Sequence, residues 1–168
     1  MCLDSDSLCS SQSDKNIQLT MPDLSGILSH HGIFSLPVNL AIYKRAFVHK
    51  SYVEADEPTG DSACISNERL EFLGDGVLEM ITKLYLYRRF PEQDEGFMTE
   101  KKIRLVCNEH IGKLAKDMGL SKWLLLSKSA EEKNTRCNLK KLGCLFEAFI
   151  GALFMDFEYR ENRRGRPS

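Results

Sequence analysis

The segment that most constrains this chain is the eleven-residue run from Asn67 to Val77, Asn-Glu-Arg-Leu-Glu-Phe-Leu-Gly-Asp-Gly-Val. In a helix, Glu68, Glu71 and Asp75 fall on one stripe, because acids at i, i+3 and i+7 point the same way. Apolar residues surround them, so the stripe is predicted to lie half-buried. Like charges in such a place are unfavourable unless a cation lies among them. Carboxylate oxygens favour a hard divalent ion, so this run is a candidate metal site.

The rest of the sequence predicts one all-α domain of ordinary size. The chain has 168 residues, of which 42% are hydrophobic and 28% charged, a composition that supports a packed core. No segment shows the sustained alternation of a strand, whereas apolar residues recur at helical spacing in five segments. Those segments are 39–53, 67–90, 98–106, 108–118 and 139–157. Thr99 is the predicted N-cap of the third helix, and Gly119 is the predicted end of the fourth.

Several stretches are interpreted as lying outside the packed elements. Residues 1–23 are rich in Ser and Asp and are expected to form a disordered arm. Residues 54–66 and 129–138 are predicted loops, because the first contains proline and glycine and the second is polar and charged. Residues 159–168 are interpreted as a basic tail, and a truncated fragment, a frame-altered product and a minimal form are the alternatives for this end of the chain. The folded domain is therefore expected over residues 24–158.

Cysteine spacing and terminal composition argue against several protein classes. The six cysteines stand at positions 2, 9, 64, 107, 137 and 144. None forms a C-x-x-C pair or a zinc pattern with histidine, so free thiols in a reducing compartment are expected. The sequence shows no basic and apolar signal peptide, no Arg-rich transit peptide and no apolar run of membrane-spanning length. We therefore expect a cytoplasmic protein with no membrane partner.

Charge is distributed unevenly along the chain. Residues 1–79 hold 5 basic and 12 acidic side chains, whereas residues 80–168 hold 18 and 12. The acidic part contains the candidate metal ligands, and the basic part is suited to contact phosphates. The alternative interpretation is that these lysines and arginines form the solvated faces of ordinary helices.

The run from Asn67 to Leu78 resembles the signature segment of the ribonuclease III family, the metal-dependent endonucleases that cut double-stranded RNA. The later run Cys144-Leu-Phe-Glu-Ala-Phe-Ile-Gly-Ala152 is similar to the family pattern Asp-x-x-Glu-Ala-x-x-Gly-Ala. The resemblance covers about residues 38–158, with no double-stranded-RNA-binding domain after it. It implies a ribonuclease III-type helical endonuclease domain that hydrolyses duplex RNA, leaves 5′-phosphate and 3′-hydroxyl ends and serves RNA processing.

The resemblance also implies a role for each acidic position. Glu71, Asp75 and Glu147 correspond to metal ligands, and Asp75 and Glu147 are the catalytic residues nearest the attacking water. Glu68 and Glu95 match accessory acids that order the site or the RNA backbone; a plain turn acid remains the alternative for Glu95. The implied cofactor is Mg²⁺, with Mn²⁺ as a substitute.

Partner contacts follow from the same resemblance. Phe72 corresponds to a dimer contact in a homodimer, although an aromatic residue among acids is more commonly monomer core. His49 and Ser51 resemble a segment that precedes the signature helix, and they could touch substrate. Duplex RNA is recognised mainly by shape and phosphates. The expected RNA-binding side chains are Lys101, Lys102, Arg104, Lys140 and Lys141.

Cys144 stands where the family pattern has aspartate. A thiol is a soft donor that suits zinc or copper better than magnesium. Two functions therefore remain open. The chain is an endoribonuclease with a weakened metal site, or it is a catalytically impaired relative that binds RNA or pairs with another subunit, as ribosome-associated members do. The retained acids favour the enzyme, because like charges without a metal destabilise a fold.

Overall fold

The computed structural model describes residues 11–56 and 66–164, and over them it is all-α, as predicted. No strand is present among these residues; two isolated bridges pair Gln12 with Ser127 and Val48 with Leu125. Short 3-10 turns lie at Leu120–Trp123 and Thr135–Cys137. The helices are α1 (Met21–His30), α2 (Leu40–Ala46), α3 (Lys50–Asp56), α4 (Glu68–Arg89), α5 (Glu95–Val106), α6 (Asn108–Asp117), α7 (Lys128–Glu132) and α8 (Leu139–Arg164).

The two long helices α4 and α8 pack against each other and form the centre of the fold. Glycines allow their backbones to approach closely. A Cβ atom placed on Gly74 would lie 1.7 Å from the backbone oxygen of Glu147, and one on Gly151 would lie 2.3 Å from the backbone oxygen of Leu70. Only glycine fits at such a crossing. Gly74 and Gly151 therefore mark the turns of α4 and α8 that face each other.

The hydrophobic core lies against α8. Helices α2 and α6 also pack on this helix, and α5 packs along α4. The fully buried side chains include Tyr43, Phe47, Ile111, Leu145 and Phe149. Within the described segments, every helix is too short or too polar to cross a membrane.

The predicted helix over 39–53 is two helices, because the chain leaves helical geometry between α2 and α3. The backbone N–H of Leu125 donates to Phe47 O at 2.8 Å, and the N–H of His49 donates to Leu125 O at 3.2 Å. These two bonds make the parallel bridge at Val48. The interruption holds His49 and α3 next to the buried Leu124–Leu126 segment.

The predicted N-cap at Thr99 is wrong. Helix α5 begins one turn earlier, because the Asp94 side chain accepts the backbone N–H of Phe97 at 2.8 Å. Thr99 lies inside the helix and donates its hydroxyl to Glu95 at 2.8 Å. Aspartate caps a helix N-terminus at least as well as threonine does.

Part of the predicted disordered arm is ordered. The backbone N–H of Ser13 donates to Leu126 O at 3.0 Å, and the Asn16 side chain bonds both backbone groups of Leu126 at 2.8 and 2.9 Å. Leu19 is buried, and Met21 begins α1. Hydrogen bonds rather than apolar content hold this polar segment, so composition alone missed it. Residues 1–10 of the predicted arm lie outside the described residues.

The structure also differs from the prediction in the other stretches that were expected to be irregular. Residues 159–164 of the predicted basic tail continue α8, whereas residues 165–168 lie outside the described residues. Most of the predicted loop over 54–66 lies outside them as well. The predicted loop over 129–138 contains α7 and a 3-10 turn, held by the largely buried ion pair of Arg136 with Glu131 at 2.7 Å. Arg136 also donates to the backbone oxygens of Ser121 and Leu124.

Candidate metal centre

The crossing of α4 and α8 brings two carboxylates and a thiol together. Glu71 lies one turn before Gly74 on α4, and Glu147 lies one turn before Gly151 on α8. One oxygen of each glutamate and the Sγ of Cys144 lie within 4.8 Å of one another. All three side chains are half-buried. The same close approach that requires the glycines therefore sets the separation of these donors.

The carboxylates of this cluster form no ion pair with a basic side chain of residues 11–56 or 66–162. In the described ranges, none of the ion pairs involves Glu71, Asp75 or Glu147. Burial and, to a smaller extent, the negative charges of Asp75 and Glu71 together raise the pKa of Glu147 to about 7. Unpaired, half-buried carboxylates are unfavourable, and a bound cation relieves their repulsion.

Cys144 is directed into the cluster. Burial raises the pKa of its thiol to about 12, and a hydrogen bond to the Glu71 carboxylate and the charges of Glu71 and Glu147 act in the same direction. The thiol is therefore protonated without a metal and donates to Glu71. Cys144 occupies the place of a third ligand beside Glu71 and Glu147.

Asp75, the third predicted metal ligand, is not part of the close cluster. It lies one turn beyond Glu71 on α4 and is exposed. Its negative charge still contributes to the raised pKa of Glu147, so its carboxylate lies near the same crossing. The structure thus brings two of the three predicted ligands within bridging distance of one cation and holds Asp75 at the rim.

The donor set fits Mg²⁺ only in part. Mg²⁺ requires oxygen ligands in near-octahedral geometry, which Glu71 and Glu147 can provide. The Sγ of Cys144 is a soft donor that Mg²⁺ does not favour. The cluster as a whole fits a divalent cation that accepts mixed oxygen and sulfur ligands.

The two accessory acids occupy different surroundings. Glu68 begins α4 and pairs with Lys50 at 3.6 Å. It lines a cavity of about 90 Å³ together with Glu71 and Cys144, so it borders the centre. Glu95 accepts from Thr99 and lines a separate cleft of about 260 Å³ beside Lys102.

The predicted RNA-binding side chains differ in whether they already contact another side chain of the protein. Lys102 pairs with Glu79 at 2.8 Å, and Arg104 pairs with Glu100 at 2.7 Å. The ammonium of Lys101 lies 5.1 Å from the ring centre of Phe97. On α8, Lys140 is exposed, and Lys141 lines the 90 Å³ cavity beside the centre. Among the predicted RNA-binding side chains, Lys141 therefore lies nearest the candidate metal ligands.

His49 is more closely tied to the centre than its sequence position indicated. Its Nδ1 lies 2.9 Å from the Ser51 hydroxyl, and its ring lines the cavity shared with Glu71 and Cys144. Burial and, to a smaller extent, the positive charges of Lys141 and Lys50 together lower the pKa of His49 to about 4. The imidazole is therefore neutral at physiological pH. Its resemblance to the family segment was the only signal in the sequence.

Phe72 is not part of the monomer core. Its side chain is 85% exposed although it lies between Glu71 and Leu73 on the central helix. It borders a cleft of about 610 Å³ whose other walls include Ile42, Arg45 and Met155. The monomer thus leaves a large aromatic side chain and an adjacent cleft uncovered.

Comparisons with known proteins point to one family. The model of the Ribonuclease-III-like family matches residues 39–164. Ribonuclease 3 of Enterococcus faecalis is 42% identical over 126 residues, which are 75% of this chain and 53% of that protein. Ribonuclease 3 of Latilactobacillus sakei is 39% identical over 118 residues, 70% of this chain and 50% of that protein. The chain spans about half the length of the curated relatives it matches.

Solved structures show the same fold. The nuclease domain of ribonuclease III from Campylobacter jejuni superposes with a TM-score of 0.68 at 26% identity, covering 85% of this chain and 89% of that one. A second structure of that domain, described as flexible in a region involved in dimer formation, gives a TM-score of 0.66 at 26% identity and covers 82% and 91%. The chain belongs to the Ribonuclease-III-like family.

Proposed function

We propose that this chain is the nuclease domain of an endoribonuclease that cuts double-stranded RNA with a divalent cation, Mg²⁺ or Mn²⁺. One observation carries the proposal: the Glu71 and Glu147 carboxylates approach each other from two helices, and no ion pair in the described structure involves either of them. A family member that had only a scaffold function would gain nothing from this repulsion. Membership of the family supports the same activity.

The acidic residues have different roles in the proposed hydrolysis of a phosphodiester bond. Glu71 and Glu147 would hold the cation, with Cys144 beside them. When bound, a divalent cation neutralises the phosphate and lowers the pKa of a bound water. Asp75, exposed at the rim, and Glu147 are the residues we place nearest the attacking water. Glu68 borders the site and is held by Lys50, which suits an ordering role.

The RNA would lie across the surface where α8 begins. Lys140 is exposed there, and Lys141 lines the cavity next to the centre. Lysines at this edge can contact the phosphates on both sides of a scissile bond, without reading bases. Lys102 and Arg104 would first have to exchange Glu79 and Glu100 for phosphate, so we give them the weaker role.

The activity is tested with a duplex RNA and a single-stranded RNA of the same sequence, each labelled at its 5′ end. The duplex is expected to be cut in Mg²⁺ or Mn²⁺, leaving 5′-phosphate ends, and a chelator is expected to stop the reaction. The single strand is expected to remain intact. Binding of the duplex without cleavage in either ion would instead support the scaffold function.

The proposed enzyme is a homodimer joined through Phe72. The side chain is 85% exposed, and the cleft of about 610 Å³ beside it has apolar walls from Ile42 and Met155. In a two-fold dimer the same patch meets itself, so each Phe72 can enter its partner's cleft. The Campylobacter jejuni structure, whose description refers to dimer formation, supports this assembly.

Substitution of Phe72 with serine is expected to convert the dimer to a monomer. A buried aromatic anchor in such an interface commonly contributes about 2 kcal/mol or more, and serine removes it. Sedimentation velocity over a concentration series measures the change. Ile103→Ser is the matched control, because Ile103 is also exposed but lies on α5. Equal dimerisation of the wild type and Phe72→Ser would contradict the assignment of the interface.

A further inference from the structure

We infer that Glu71, Cys144 and Glu147 bind a thiophilic divalent cation, such as Zn²⁺ or Co²⁺, more tightly than Mg²⁺. The inference rests on the cation site of the proposed function, and it specifies which class of ion that site selects. It does not depend on cleavage. The ligand that decides the preference is the Cys144 sulfur.

The first support is geometric. The three donor atoms come from two packed helices and lie within 4.8 Å of one another. Zinc binds thiolate sulfur at about 2.3 Å and carboxylate oxygen at about 2.0–2.2 Å, so the donors around it are roughly 3.5 Å apart. Side-chain rotation of the two glutamates would close the difference. The close contact of Gly74 with the α8 backbone holds the two helices in place during that adjustment.

The second support is the direction of the thiol. Cys144 is half-buried, and its sulfur lies within 4.8 Å of an oxygen of Glu71 and of Glu147, so it is directed at the carboxylates rather than away from them. The 90 Å³ cavity lined by Glu71 and Cys144 leaves space beside these donors. Lys50 and Lys141 also line this cavity and are the nearby positive charges that a cation must tolerate.

The third support is the number and type of the donors. Two carboxylates and one thiolate are three protein ligands, which leaves a fourth position for water, as in catalytic zinc sites. Binding forms a metal–sulfur bond, breaks the S–H bond and releases that proton to solvent. A hard ion gains little from the sulfur, whereas a softer ion gains a strong ligand. The donor set therefore favours Zn²⁺ or Co²⁺.

The test is metal binding without RNA. The full chain, stripped with a chelator, is titrated with Co²⁺, and a thiolate-to-cobalt charge-transfer band in the near ultraviolet is expected. Zn²⁺ is expected to displace Co²⁺ and abolish the band, whereas an excess of Mg²⁺ leaves it. Calorimetry is expected to show Zn²⁺ binding at least tenfold weaker in Cys144→Ser, since loss of a ligand exceeds the effect of an outer-shell change.

Matched variants test whether the charge-transfer band arises from the Cys144 sulfur. Cys144→Ser keeps the five other cysteines, so any band from those thiols persists in it. Cys144→Asp restores an all-oxygen site and is expected to bind Mg²⁺ more tightly than the wild type does. Circular dichroism establishes that both variants are folded, and Glu71→Gln is expected to weaken Zn²⁺ binding in the same way.

The outcomes separate this inference from the proposed function. An unchanged band in Cys144→Ser, or equal affinity of the wild type for Mg²⁺ and Zn²⁺, overturns the inference even if duplex RNA is cut. A Cys144-dependent band without cleavage in any ion supports the inference and overturns the proposed nuclease.

Discussion

Substitution of Glu147 with glutamine is expected to reduce duplex cleavage by at least about 100-fold, because loss of a direct metal ligand should exceed the 10–100-fold effect of losing an outer-shell partner. Glutamine keeps the size of the side chain and removes the charge. Glu147 is the only α8 carboxylate in the described three-donor cluster. Single-turnover cleavage of a labelled duplex measures the loss.

The same substitution is expected to stabilise the metal-free protein at pH 8. The pKa of Glu147 is raised to about 7 in the folded protein, from an ordinary value of 4.5. The folded state therefore binds more protons than the unfolded state between these values, and its stability falls as pH rises through them. Glutamine cannot ionise and avoids that loss. Thermal melts at pH 5 and pH 8 are expected to differ more for the wild type.

Glu158→Gln is the control for both effects. Glu158 lies on the same helix and is exposed. Its substitution is expected to leave cleavage unchanged and to shift stability by less than about 0.5 kcal/mol. Full activity of Glu147→Gln would contradict the site. Lower stability of that variant at pH 8 would instead show that Glu147 has a structural role.

Substitution of Gly74 with alanine is expected to lower the free energy of unfolding by about 3 kcal/mol or more, since overpacking of a tight contact commonly destabilises by 1–3 kcal/mol. The added Cβ would lie 1.7 Å from the backbone oxygen of Glu147 and 2.9 Å from the backbone nitrogen of Gly151. Backbone atoms cannot rotate away, so the two helices must separate. Separation would also move the Glu71 and Glu147 carboxylates apart.

Gly76 provides a matched control two residues away. A Cβ at Gly76 meets no atom within 4 Å, and the residue is exposed on the same helix. Gly76→Ala is expected to stabilise the protein by up to about 1 kcal/mol, the difference in helix propensity. Urea unfolding followed by circular dichroism compares the two variants. Equal stability of Gly74→Ala and the wild type would exclude the close helix contact.

The sequence predicted the two long helices well because both carry dense apolar spacing. Helix α4 runs Glu68–Arg89 where 67–90 was predicted, and Gly119 ends the α6 region in left-handed geometry as expected. The meeting of Glu71 and Glu147 was also expected, but only from the family resemblance. Helical periodicity shows which face of each helix is buried, but it does not show which other helix packs against that face. The close contact of Gly74 with α8 is visible only in the structure.

Other features depended on contacts that local patterns do not encode. The segment 11–19 is polar, yet Asn16 anchors it through the backbone of Leu126, more than a hundred residues away. The break between α2 and α3 arises from pairing with Leu125. Cys144 was recognised as a substitution, but the hydrogen bond that directs it towards Glu71 required the structure.

The central claim is that α4 and α8 hold Glu71, Cys144 and Glu147 around one divalent cation. Anomalous diffraction at the zinc edge, from crystals of the full chain soaked in Zn²⁺, tests it most directly. The expected result is one strong peak about 2.0–2.3 Å from an oxygen of each glutamate and from Cys144 Sγ. A zinc peak bound elsewhere, with no density between the two helices, would contradict the claim.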